Sequence, residues 1–487
     1  MAVLVGEFGI RGRLGQALTL DQMSRLGAAF SLWVHERLGP VPLVVGRDSR
    51  SLSRQAMQAF LRGLGLFPHR VLPVGLVPTP AIPLAMQAWA AMAGAVVTAG
   101  AAPPGWSGLK LYWGSPPLPL TVADLGQILE SAARLHSLPR ARPALTPPPK
   151  EATALHVEQV LARVEQRGPA LKVALDAARG SAEEPLRHLL TEMSCEVRVV
   201  ECFGEGEPTP RRLGDLSALV VDRACDLGVA TDLDGDRLAL VDHRGKVVGM
   251  DATAALALSA LLERPGAGPV LLQNTASSLL AKVAGPAGQV LGEETAFLCR
   301  RAQKAGARAV LTEGGLIWPE VGWGRDALAM AALVIEFLRR RRASLEEAAR
   351  ALPPWTVRRS RLPWRSLQEA GARVRLILPE ARVERGAAEG SAGSGPGPER
   401  ELSPGERETA GGGRPWEPGL EMALPDGCRI CLWPAPDRPG WALLAEGPRP
   451  EVVDTLVERL RQGLTTSRDP EGAATPRLGK ADEPRAG

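Results

Sequence analysis

A chain of 487 residues with a net charge of +4 and 45% hydrophobic residues has the size of three or four domains. Its basic residues are spread along the chain without a basic-aromatic stripe, which argues against a nucleic-acid partner. No apolar run reaches the ~18 residues of a membrane span and no charged leader precedes an apolar core, so neither a membrane partner nor a secretory route is expected.

Short apolar runs and helix-like runs alternate up to about residue 350. Strands are expected at 42–46, 94–98, 171–176, 196–201, 218–221, 270–273 and 307–311, and a helix at 53–64 for which Asp48 or Ser49 is a candidate N-cap. The alternation predicts α/β units with largely parallel sheets. A proline-rich linker is expected at 139–149. A helix over 326–342 carries one apolar stripe at Leu328, Ala331, Ala332, Ile335 and Leu338, and the arginines 339–342 close it.

Beyond that point the composition breaks. Residues 385–415 are Gly, Ala, Pro, Ser, Glu and Arg with Leu402 the one large aliphatic, so disorder is expected there. The insert interrupts a unit whose strand-like stretches are 373–378 and 428–433, and a polar tail covers 467–487. The expected division is 1–140, 150–250, 251–352 and 356–466. Six cysteines show no metal-knuckle pairing. Cys428 and Cys431 read as two residues of one strand, and a reducing cytoplasm is the expected setting.

Chemistry concentrates in a few short segments. Asp232, Asp234 and Asp236 alternate on a turn closed by Arg237. Three oxygen donors so placed suit a hard cation such as Mg²⁺, or form a turn whose carboxylates cap backbone amides. Thr98 to Lys110 reads T-A-G-A-A-P-P-G-W-S-G-L-K. This stretch resembles the active-site loop T-A-S-H-N-P-P-x-x-N-G-x-K of the α-D-phosphohexomutases, the phosphoglucomutase/phosphomannomutase superfamily. Thr98, Ala99, Pro103, Pro104, Gly108 and Lys110 match. Gly100 stands where the resemblance implies a phosphoserine, and Ala101 and Ala102 replace its His and Asn neighbours.

The other family signatures occur in order. Phe8-Gly9-Ile10-Arg11-Gly12 is similar to a shortened F-G-T-x-G-I-R-G, which implies that Arg11 lies near the reacting phosphate; by itself it reads as a surface arginine in a glycine turn. Gly46-Arg47-Asp48-Ser49-Arg50 with Ser53 is similar to G-x-D-x-R-x-S, and residues 75–80 to the architectural turn G-x-x-P-T-P. The loop Asp232 to Arg237 is similar to the family's metal loop and is complete. Glu313-Gly314-Gly315-Leu316-Ile317 stands in place of the sugar loop E-x-S-G-H and keeps its glutamate alone. Residues 433–441 stand in place of a phosphate clamp, with Arg438 the one residue left to meet phosphate.

The resemblance implies a four-domain α/β architecture, three similar mixed α/β domains followed by a smaller α+β domain. It implies substrate contacts at Arg11, Lys110, Arg237, Glu313 and Arg438, and weak Mg²⁺ at Asp232, Asp234 and Asp236. With Gly100 in the nucleophile's position, the expected function is a catalytically impaired member of hexose phosphate metabolism that binds a sugar phosphate or a protein partner. The alternative is an active Mg-dependent mutase or phosphatase with another phosphate acceptor, for which Ser107 and Ser49 are the nearest hydroxyls. A partner-binding role calls for an apolar patch near Trp318 or Trp323.

Overall fold

The computed structural model describes residues 3–135, 143–166, 168–200, 206–362, 374, 376–385, 420–434 and 441–465. The insert from 386 onward, the tail 467–487, the start of the linker at 139–142 and Arg438 lie outside the described residues.

Four sheets follow one another along the chain. In the first, Pro42–Arg47 lies between Ala93–Val97 and Arg70–Leu76, all parallel. On the far side of Ala93–Val97 run Trp106–Trp113 and then Gly9–Arg13, both antiparallel to their neighbours. This register sets Arg11 opposite Gly108 and Lys110 opposite Val96. The parallel strands end together, so the loops leaving Pro42–Arg47 and Ala93–Val97 open on the same side.

Helices Leu20–Leu38 and Ser53–Leu64 pack over one face of this sheet. The first begins with a capping box between Thr19 and Gln22. They touch backbone to backbone, because a Cβ on Gly27 would stand 2.1 Å from the Phe60 carbonyl oxygen and one on Gly63 1.8 Å from that of Ser24.

The second sheet orders Cys195–Val199, Leu171–Asp176, Leu227–Thr231, Leu238–Asp242 and Val247–Val248. Its antiparallel pair Leu227–Thr231 and Leu238–Asp242 is joined by the Asp-rich loop. The third orders Gly288–Leu291, Val270–Gln273, Ala309–Thr312 and Gly315–Ile317. Its last two strands form a hairpin around Glu313 and Gly314, and Gly314 has the positive φ, +61°, that a two-residue turn requires. The fourth sheet is antiparallel throughout, with helix Pro450–Thr465 packed on Thr356–Leu362 and Trp441–Gly447.

Several expectations change. The sheets are mixed or antiparallel rather than largely parallel. Residues 218–221 belong to helix Gly214–Asp222, where Leu216 and Val220 are buried four apart; the run was too short for its period to separate helix from strand. Val374 and 376–377 are helical rather than extended. Helix Ala327–Arg341 is capped by Asp326, whose carboxylate accepts from the amides of Leu328 and Ala329. It is buried on every side from Ala327 to Leu338, because it packs against Met250–Leu262, Ala152–Leu161 and Glu183–Glu192 at once. One continuous core therefore serves the second and third sheets.

Polar side chains fix the last sheet to the third. Glu446 is fully buried and accepts from Ser277 Oγ, Ser278 Oγ, the Ser278 amide and Trp355 Nε1 at 2.6–3.1 Å. Arg429 bonds Glu446 at 2.7 Å and the carbonyls of Ala276 and Asn274. Arg359 grips Asp251 with two nitrogens at 2.7 and 3.0 Å. Among the described residues no helix is long and apolar enough to cross a membrane.

Candidate functional site

The Asp-rich loop is held by three sheets' worth of neighbours. The Thr79 amide donates to the Asp234 carbonyl at 2.8 Å, Ser181 donates its amide and hydroxyl to the Leu233 carbonyl at 2.9 Å, and the Ala327 amide donates to the Gly235 carbonyl at 3.0 Å. Gly235 takes φ +72°, and a Cβ there would press on Pro78 and Ala182 at 3.0 and 3.1 Å. The turn therefore requires glycine on both conformational and steric grounds.

All three carboxylates of the loop are buried, but they do not meet at one open point. Asp232 turns Oδ1 onto its own loop, accepting from the amides of Asp236 and Arg237 at 2.9 and 3.2 Å. Asp234 and Asp236 converge instead on Lys110, whose Nζ lies 2.5 Å from Oδ2 of each. Arg325 Nη2 adds a second cation to Asp236 Oδ2 at 2.6 Å, and Arg237 Nη1 stands 3.5 Å from Asp232 Oδ2. Hydroxyls of Thr79 and Thr98 approach Asp234 Oδ2 at 3.2 and 3.3 Å.

The expected convergence of three carboxylates on a cation thus gives way to a salt cluster closed by the chain's own cations. Among the described residues no group of three potential ligands stands ready for a metal. The donor chemistry still suits a hard cation, since Oδ1 of Asp234 and Oδ1 of Asp236 are buried and have no hydrogen-bond partner.

This environment splits the carboxylates. Burial, with Asp234 and Asp236 beside it, pushes the Asp232 carboxyl up to about 6. Burial works against the charge of Asp234 too, but Lys110, Arg325 and Arg237 outweigh it and hold that carboxyl well below the usual range.

Gly100 lies beside the cluster at φ +59°. A Cβ built on it would stand 2.8 Å from Arg11 Nη2 and 3.7 Å from Asp234 Oδ2. The loop is pinned from below by Arg50, whose Nη2 donates to the carbonyls of Gly100 and Ala102 at 2.7 and 2.8 Å. Asp48 orients Arg50 through an ion pair at 3.3 Å and also accepts from Ser53 Oγ. Asp48 is therefore a brace for the loop and not the expected helix cap; neither it nor Ser49 holds that position, which Leu52 takes without a side-chain bond.

The remaining predicted residues divide. Lys110 and Arg237 join the cluster, and Arg11 lies beside Gly100 with its Nη2 donating to the Phe8 carbonyl at 3.2 Å. Glu313 lies close by but is engaged: Arg361 reaches its Oε1 at 3.3 Å and Arg359 at 3.9 Å. Burial would raise this carboxyl, but Arg361, Arg359, Arg237 and Arg325 bring it down to about 2. Ser107 is buried in Trp106–Trp113 and Ser49 is half-buried ahead of helix Ser53–Leu64. Trp318 and Trp323 are 1% and 7% exposed, so neither contributes to the apolar patch expected near them.

Sequence reasoning missed Arg325, Thr79, Arg359 and Arg361. Arg359 and Arg361 alternate on strand Thr356–Leu362, so both point to one face; that spacing was visible in the sequence. Arg325 had no signal, since only the folded hairpin brings it to Asp236. A cavity of about 40 Å³ adjoins Lys110, Asp236, Arg325 and Glu7. That is room for a few waters and far below the ~300–1,000 Å³ of a ligand pocket.

Comparison with known proteins adds four findings. Residues 2–134 match the family described as phosphoglucomutase/phosphomannomutase, alpha/beta/alpha domain I, and residues 154–245 match its domain II. A probable phosphoglucosamine mutase of Methanopyrus kandleri is 31% identical over 58% of this chain and 63% of its own length, a little under two thirds. A phosphoglucomutase/phosphomannomutase of Thermococcus kodakarensis is 28% identical over 73% of this chain and 81% of its own. The fold is that of a solved putative phosphomannomutase from Thermus thermophilus, with a TM-score of 0.72 at 19% identity over 95% of this chain and 99% of that one.

Proposed function

The chain belongs to the α-D-phosphohexomutase superfamily of sugar-phosphate metabolism, and from that premise we propose that it binds a hexose phosphate without passing a phosphoryl group to and from it. One observation carries the reading. Gly100 offers no hydroxyl, and the space where its side chain would begin is met at 2.8 Å by Arg11. Loss of the nucleophile from a covalent mechanism costs on the order of 10⁶ in turnover. Ser107 is no substitute, since at 2% exposure inside the sheet it does not meet a substrate.

Arg11 supplies the guanidinium that meets a phosphate by its two-pronged geometry, whereas Lys110 and Arg237 are matched by carboxylates of the protein. Glu313 is tied to Arg361 through Oε1, while its buried Oε2 has no hydrogen-bond partner and is left to accept from a sugar hydroxyl. The burial of Trp318 and Trp323 favours a sugar phosphate over a protein partner docked on that face. Asp232, Asp234 and Asp236 are the residues that would hold Mg²⁺, weakly; bound, it would supply a compact positive charge for phosphate oxygens. The free buried thiols of Cys195, Cys225, Cys299, Cys428 and Cys431 support a cytoplasmic setting.

The test is intact-protein mass after incubation with glucose 1,6-bisphosphate, together with a coupled assay for glucose 6-phosphate formed from glucose 1-phosphate. No phosphoryl adduct and no turnover are expected, with glucose 1-phosphate binding seen by calorimetry and lost in Arg11→Ala. Turnover, or a stable adduct, favours the alternative of an active mutase or phosphatase with another acceptor.

A further inference from the structure

The Asp-rich loop and Lys110 come from different sheets, yet the ammonium sits between the two carboxylates at 2.5 Å from each. Strand register fixes it there. Lys110 pairs with Val96 on one side, and the strand carrying it pairs with Gly9–Arg13 on the other, so its side chain leaves the sheet toward the loop and is 6% exposed. A divalent cation bridging Asp234 and Asp236 needs oxygens at ~2.1 Å if it is Mg²⁺, and the lysine nitrogen already fills the space between them.

The charge pairing points the same way. Asp232, Asp234 and Asp236 face Lys110, Arg237 and Arg325, all buried, and Arg237 is shared with Glu207 at 3.6 Å. Gly315 contributes by absence: a Cβ there would stand 2.5 Å from Arg325 Cδ, so the glycine clears the path along which Arg325 reaches Asp236. A divalent ion entering a buried cluster whose Asp234 and Asp236 are already paired has to compete with those resident cations for the same oxygens.

We propose that Lys110 is the built-in counter-ion of the Asp-rich loop and competes with any divalent cation for Asp234 and Asp236. The cluster then folds and holds its shape without metal, and metal binds only by displacing the ammonium. This concerns cation binding and not turnover, so the proposed loss of mutase activity can fail while it stands.

The experiment is a Mn²⁺ titration followed by electron paramagnetic resonance on the full chain, wild type against Lys110→Met. Wild type is expected to bind Mn²⁺ weakly, in the range of ~1 mM, and Lys110→Met at least ~10-fold more tightly, because removal of one unit charge leaves two buried carboxylates short of a cation. Asp234→Asn in the Lys110→Met background should cancel the gain. Micromolar binding by wild type, or equal or weaker binding by Lys110→Met, overturns the proposal. A second measurement needs no variant: the melting temperature of wild type in EDTA and in ~2 mM Mn²⁺ should agree within ~1 °C, and a rise of several degrees overturns the proposal as well.

Discussion

Gly100 and Gly315 occupy the two positions where the family motifs carry serine, and an arginine lies against each. What the arginine presents is different. At Gly100 a new Cβ would meet Nη2 of Arg11, the tip of a long and rotatable side chain, at 2.8 Å. At Gly315 it would meet the stem of Arg325, Cδ at 2.5 Å, Cγ at 3.0 Å and Cβ at 3.2 Å. The backbone differs in the opposite sense. Gly100 needs φ +59°, whereas Gly315 is an ordinary residue of strand Gly315–Ile317. Gly100 is thus a glycine for conformation that faces a side-chain tip, and Gly315 a glycine for space with no conformational demand. A missing side chain is not one kind of loss: one site is open to a new group and strained by it, the other is already occupied.

The largest expected effect follows from the occupied site. Gly315→Ser has to push Arg325 aside, which unhooks Nη2 from Asp236 and takes a cation from a buried carboxylate. Overpacking costs typically ~1–3 kcal/mol and the weakened buried pair adds to it, so a loss of about 3 kcal/mol is expected in urea unfolding. The double variant Gly315→Ser with Arg325→Ala should lose no more than Arg325→Ala alone, since the added hydroxymethyl then has space. If the two losses simply add, Arg325 does not fill the place of that serine and the contrast with Gly100 fails.

Much of this frame was legible in the sequence, and the reason differs by region. Strands Pro42–Arg47 and Leu171–Asp176 and helix Ser53–Leu64 appear where short apolar runs and turn residues placed them, because a buried strand bounded by breakers needs no tertiary knowledge. The proximity of Arg11, Gly100, Lys110 and the Asp-rich loop was legible through motif order. What was not legible is who pairs with whom. In the sequence Lys110 reads as a substrate contact and the three aspartates as metal ligands, because a sequence lists charges without saying which sheet carries each one to which neighbour; their pairing with each other appears only in the fold. Glu313 read as a lone acceptor because Arg359 and Arg361 reach it from the last sheet, 46 and 48 residues further along the chain.

The support beneath Arg325 gives a sharper probe of the same contrast. Its guanidinium lies 4.0 Å from the Phe8 ring centre, and the adjacent Glu7 ties that segment to the third sheet through Gln273 Nε2 at 2.7 Å and the Thr295 amide and hydroxyl at 3.1 and 3.2 Å. Burial pushes the Glu7 carboxyl up to about 7 from an ordinary 4.5, against those three hydrogen bonds, with Glu294 adding repulsion. The folded state therefore binds more protons than the unfolded chain between these values. Stability should be fullest below the unfolded value, fall as pH rises through the window, and level off above about 7. Glu7→Gln, which keeps the neutral shape, should gain on the order of 2 kcal/mol over wild type at pH 8 and nothing at pH 4. Part of the wild-type slope should persist in the variant, because Asp232 is raised as well. Identical pH profiles for the two proteins would show that Glu7 is charged throughout and does not couple the segment under Arg325 to pH.

The smallest effect belongs to the open site. Gly100→Ser should cost about 1–2 kcal/mol, the penalty for a side chain at positive φ, to which Arg11 adds as its Nη2 shifts against the Phe8 carbonyl it bonds at 3.2 Å. Gly100→Ala is the reference, because it carries the same backbone strain without a hydroxyl. Equal stability of the two variants is expected, and no phosphoglucomutase turnover by either. The new serine has Ala101 and Ala102 beside it, a glutamate tied to Arg361, and Lys110 held between Asp234 and Asp236. Nothing in that set holds a sugar phosphate in line with the hydroxyl, and a misplacement of ~1 Å costs ~10²-fold. A serine variant clearly more stable than the alanine one would mean that the hydroxyl has found a partner, with Asp234 Oδ2, 3.7 Å from the built Cβ, the nearest carboxylate oxygen. Turnover in that variant would then show that the loop still presents a nucleophile correctly, and that the loss at position 100 is reversible in a way that the loss at 315 is not.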